Sequence, residues 1–95
     1  MTNANTNATA NANIVLEALA TAFGGWSQFP DRVVGAAIFG HFNGGGVAAA
    51  GGVTPEEVMD AAAALVVERW EDCGVEFAPT RAAIQGGFDA ARAAQ

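Results

Sequence analysis

The chain has 95 residues with ten acids, four bases and a net charge of −6. That length allows one small domain, and the lone Cys73 excludes a disulfide scaffold. All four bases are arginines (Arg32, Arg69, Arg81 and Arg92), too scattered for direct nucleic-acid binding, which depends on clustered cations against phosphate.

Residues 1–13, MTNANTNATANAN, form an Asn/Thr/Ala tract with no large apolar side chain after Met1. Such a segment buries little surface to offset ordering entropy, so a disordered tail is expected, ending in an N-cap at Asn13. It lacks the basic n-region of a secretory signal. Residues 14–23, IVLEALATAF, are mostly apolar and predict a short helix that Gly24-Gly25 stops, with Gly24 as the C′ residue. The doublet resembles the double-glycine leader of exported peptides, but the acidic and hydrophobic positions fall out of register. A helix stop followed by a turn is expected instead.

Residues 26–30, WSQFP, predict a turn with two aromatics. Pro30 and Asp31 suit the first turn of a second helix, which runs to about Phe42 and ends at Asn43 and Gly44-Gly45-Gly46. Val47 to Gly52 reads either as a short helical turn or as a loop. The glycine triplet follows a helix rather than a strand and lacks a Walker Lys or Ser/Thr, so no nucleotide site is expected. Ala36, Gly40, Gly44, Ala48 and Gly52 recur every four residues, the small-xxx-small spacing that lets helices approach closely. Residues 33–53 are also free of charge. The Ala/Gly content, His41, Asn43 and the glycine triplet argue against a membrane span there.

Residues 54–73 predict the most definite helix. Thr54-Pro55-Glu56-Glu57 is a capping box, with Thr54 as N-cap and Glu57 at N3, and Gly74 ends the helix. At 100° per residue, Val58, Ala62, Leu65, Val66, Trp70 and Cys73 share one face. Glu57, Asp60, Glu68, Glu71 and Asp72 share the opposite face with Ala64. Residues 75–78, VEFA, predict an extended connector stopped by Pro79. A last helix, 80–94, starts near Thr80. Its Gly86-Gly87 pair costs about 1–2 kcal/mol of helix propensity, so packing must hold it, and a close helix crossing would justify the glycines.

The expected fold is therefore all-α. It is a small bundle of three to four short helices over residues 14–95, behind the disordered tail 1–13. The expected core is Val15, Leu16, Leu19, Phe23, Trp26, Phe29, Val34, Ile38, Phe42, Val58, Leu65, Val66, Trp70, Ile84 and Phe88.

Chemistry has few candidates. His41 and Cys73 with an acid could be read as a hydrolase set, but no spacing supports it. Cys73 is expected to be a buried small hydrophobe, and His41, between Phe39 and Phe42, a half-buried hydrogen-bonded residue. One thiol and one imidazole fall short of a zinc site, and a helical stripe points its carboxylates apart rather than toward one cation. No enzyme activity, cofactor or metal is expected.

The charge is more informative. Glu56 to Glu76 holds seven acids and only Arg69 as base, so the entire net charge of −6 lies in that segment. The expected function is a small acidic protein-binding module, an inhibitor or adaptor in the cytoplasm. Its partner-binding residues would be Glu57, Asp60, Glu68, Glu71 and Asp72, docked on a basic protein surface. One version is nucleic-acid mimicry against a nucleic-acid-binding protein, as in small acidic inhibitors of phages and mobile elements. The alternative is a homo-oligomeric subunit of a virion or other assembly, self-associating through its Ala/Gly-rich helix.

Overall fold

The computed structural model describes residues 3–26, 29–43 and 52–95, with side chains from Asn7 onward except that of Glu71. These residues form four α-helices and no strand: α1 (Asn3–Phe23), α2 (Asp31–Asn43), α3 (Pro55–Arg69) and α4 (Phe77–Ala93). A 3₁₀ turn, Glu71–Cys73, follows α3. The all-α bundle expected from composition and periodicity is the observed architecture.

The ends of the helices follow local chemistry. In the capping box of α3, Glu57 N–H donates to Thr54 Oγ1 at 3.2 Å and Thr54 N–H donates to Glu57 Oε1 at 2.8 Å. Both satisfy helix-start donors that have no intrahelical acceptor. At the end of α1, Gly24 takes φ +85° and the Gly25 N–H reaches Ala20 O at 2.8 Å, the 6→1 bond of a Schellman motif. Asp31 opens α2, where a carboxylate favours the helix dipole, but partial burial pushes its pKa above the usual 3.8.

Three boundaries differ from expectation. The first helix begins at Asn3, eleven residues before the expected Ile14, and Asn13 lies inside it rather than capping it. Ala8 and Ala12 are buried on the same strip as Val15, Leu16 and Leu19. Small side chains at i, i+4 bury little area each; Ala8 lies beside Glu57, Asp60 and Ala61 of α3. Asn11 is buried beside them with both amide ends used: its Nδ2 donates to Asn7 O at 2.8 Å, and His41 Nε2–H donates to its Oδ1 at 3.0 Å. Met1 and Thr2 lie outside the described residues.

The third helix ends at Arg69 rather than Cys73. Trp70 leaves the helical region (φ −114°, ψ 24°) and the chain tightens into i→i+3 bonding, Cys73 N–H to Trp70 O at 2.9 Å, before Gly74 turns it at φ +74°. The tighter winding carries Cys73 off the apolar face. It is exposed, not buried as expected. The fourth helix begins at Phe77, three residues before Thr80, and takes in Pro79. A proline in the first turn lacks only an N–H that would have no helical acceptor, so it does not stop the helix.

The core is shared by all four helices. Leu16, Val34, Ile38, Val58, Met59 and Ile84 are its largest fully enclosed side chains. Of the expected core, Trp26, Phe29, Phe42, Leu65 and Trp70 are half-buried around it. Phe23 is 45% exposed: it ends α1 beyond the bundle and meets Phe29 edge-on at 6.1 Å. Met59, Ala63 and Val53 are buried without having been expected.

Helices α2 and α4 cross closely through glycine. A Cβ on Gly35 would lie 1.8 Å from Ile84 O, and one on Gly87 would lie 1.9 Å from Arg32 O. Gly87 is thus the close crossing that its helix cost suggested. On α2, however, the small residue that uses it is Gly35, not the expected Ala36/Gly40 row. Ala36 and Gly40 are exposed, with open space around Gly40. Gly44 and Ala48 of that row lie outside the described residues, as do 47–51 of the ambiguous stretch. Among the described residues no helix is long and apolar enough to cross a membrane.

Candidate functional site

The five acids singled out by charge and periodicity fall into two groups. Glu57 is half-buried and its carboxylate is committed to the α3 cap. Asp60 accepts from Arg81 Nε of α4 at 2.5 Å, an ion pair in which the arginine is largely covered and the aspartate exposed. Arg81 also donates to Gln85 Oε1 at 2.9 Å. Gln85 continues to Asp89 at 3.0 Å, and Asp89 pairs with Arg92 at 3.2 Å. These two acids of the stripe, at the N-terminal half of α3, therefore serve the fold.

The second group sits at the other end of the helix. Glu68 is exposed in the last turn of α3, and Asp72 is exposed in the 3₁₀ turn. Glu71 opens that turn; its side chain lies outside the described part. The expected four-turn stripe on one regular helix is therefore interrupted at Trp70, where the winding changes. Among the described residues the ion pairs are Arg81–Asp60 and Arg92–Asp89, which leaves Glu68 and Asp72 with none.

Glu68 does not stand alone. It lines an open groove of about 590 Å³ together with Asn13 and Glu17 of α1, Trp26 of the α1–α2 turn, and Leu65, Arg69 and Trp70. Glu17 lies far from the acidic segment in sequence, yet the packing of α1 on α3 brings it to the same groove. Both tryptophans are half-buried, so each presents part of its ring to solvent. The Arg69 guanidinium lies over the Trp26 ring, 4.4 Å from its centroid, a cation–π distance. Trp26 is in turn buttressed by Phe29 at 6.2 Å.

Of the groove residues, Glu68 follows from charge and periodicity; Glu17, Trp26, Leu65, Arg69 and Trp70 do not. One signal for Arg69 was in the sequence: it is the only base among the seven acids of its segment. Apolar patterning assigns Trp26 and Trp70 to the core, which is half of their role. A groove with two carboxylates, one stacked guanidinium and two indoles can hold a cationic or amphipathic segment by charge and by aromatic contact.

The remaining chemistry is sparse. Among the described residues no three His, Cys, Asp or Glu side chains come together as metal ligands. His41 is half-buried on α2 and bonded to Asn11, while Cys73 is exposed at the turn after α3. No family model matches the chain, and no curated protein or solved structure is significantly similar to it.

Proposed function

We propose that this chain is a small acidic protein-binding module, an inhibitor or adaptor acting in the cytoplasm, that docks the C-terminal end of α3 on a basic protein surface. One observation carries the reading. The whole net charge lies between Glu56 and Glu76, and of its exposed acids Glu68 lines a groove with two half-buried tryptophans, while Asp72 follows two residues after Trp70. Long-range attraction steers a basic partner to such a surface, and aromatic anchors supply contact area once it arrives. A nucleic-acid-binding protein, whose own ligand is polyanionic, is a partner of fitting charge.

Self-association through the Ala/Gly helix is the weaker reading. The close glycine approach is used within the chain, by Gly35 and Gly87.

A partner captured from the native host and eluted by a salt gradient supplies the assay. In that assay, Glu68→Lys with Asp72→Lys is expected to lower affinity on the order of tenfold or more, mainly through slower association, while far-UV circular dichroism stays unchanged. An affinity that survives the double reversal refutes the reading.

A further inference from the structure

The groove beside Glu68 contains a cation already. Arg69 lies over Trp26 at 4.4 Å and is itself exposed. Among the described residues it makes no ion pair with Glu17 or Glu68, although all three line the same groove. The groove thus holds two carboxylates against one guanidinium, a surplus of negative charge around an aromatic face that accepts a planar cation. An exposed stack of this kind is weak, so a second guanidinium can displace it at little cost.

We propose that this groove is a socket for an arginine side chain of the partner, seated on Trp26 in the place that Arg69 occupies in the free protein. The inference rests on the acidic-surface reading above and specifies the chemistry of its partner. Charge complementarity selects a cation. The choice of arginine over lysine follows from the ring. A guanidinium is planar, weakly hydrated and stacks flat on an indole, while an ammonium is a compact, strongly hydrated charge that gains less there. Glu17 and Glu68 would take the guanidinium N–H groups, and Leu65 and Trp70 would cover the aliphatic stem. Arg69 then acts as an internal competitor, shielding Trp26 until an arginine-bearing segment arrives.

The test uses the full chain and two peptide probes, hexaarginine amide and hexalysine amide, followed by the indole N–H resonances of the two tryptophans. Hexaarginine should shift the Trp26 resonance saturably and bind more tightly than hexalysine. Arg69→Ala should tighten hexaarginine about 2- to 5-fold, the range of an exposed cation–π contact. Trp26→Leu should remove the preference for arginine. If that variant loses its native circular dichroism, Glu17→Gln with Glu68→Gln replaces it and should weaken hexaarginine binding several-fold.

Equal binding of the two peptides, or a Trp26 resonance unmoved by hexaarginine in both the parent and Arg69→Ala, overturns the socket. That failure is separable from failure of the parent reading. A host partner lost on Glu68/Asp72 reversal together with an unmoved Trp26 rejects the socket and keeps the acidic surface. A Trp26 shift with arginine preference in a protein whose partner ignores the reversal does the opposite.

Discussion

Single glycines carry opposite burdens in this chain. At Gly35 and Gly87 the neighbouring helix backbone fills the space where a Cβ would be, at 1.8 Å and 1.9 Å, and backbone cannot rotate away. Gly35→Ala and Gly87→Ala are therefore expected to destabilise the fold by about 1–3 kcal/mol or more, because helices α2 and α4 must separate. Gly40 is on the same helix as Gly35 with nothing near it. Gly40→Ala should stabilise by about 0.5–1 kcal/mol through helix propensity alone. Urea titrations of the three variants check this, and equal effects at Gly35 and Gly40 would refute the close crossing. Nothing in the sequence distinguishes the two positions. Both are glycines in an Ala/Gly-rich helix, and the four-residue row that includes Gly40 is the more regular of the two.

Among the elements, α1 departs most from what its residues suggest. Its first half has the composition of a disordered segment, and judged in isolation it has little apolar area to hold it. In the bundle, Ala8 and Ala12 are buried and Asn11 is bonded to His41 of α2. A chain lacking residues 1–13 is expected to lose about 2 kcal/mol or more, from two buried methyl groups and one part-buried hydrogen bond. An unfolding midpoint unchanged by that truncation would restore the tail reading. The other helices were more legible. Thr54 and Glu57 announced the start of α3, and Gly24 the end of α1, since those residues act on backbone groups within one turn of themselves. The early start of α4 was hidden by Pro79, whose effect depends on whether it falls in the first turn or later.

For the whole molecule the decisive property is where the charge sits. Seven acids and Arg69 share residues 56–76, and the folded chain adds Glu17 to the groove at one end of that segment. Like charges held together repel, so moderate salt should raise the stability of the free protein by screening them. The same salt should weaken a complex with a basic partner. Denaturant titration of the free protein and affinity measured over one salt series are thus expected to move in opposite directions. A complex insensitive to salt would place its binding energy elsewhere than in Glu68 and Asp72.

Local chemistry in the sequence was enough for the helical class, the capping box, the glycine stop at Gly24 and the location of the charge. Each depends on composition or on residues within a few positions of one another. The site was legible only in part: Glu68 and Asp72 could be named from periodicity, but Glu57 and Asp60 turned out to be committed to the cap and to Arg81. Packing decided the rest. It recruited alanines of the Asn/Thr/Ala tract into the core, chose Gly35 over Gly40 for the crossing, and joined Glu17, Trp26 and Arg69 into one groove. Small side chains bury well or badly according to what lies opposite, and an acid is free or paired according to which cation the fold brings to it. Both are facts about neighbours far away in the chain, which only the tertiary arrangement supplies.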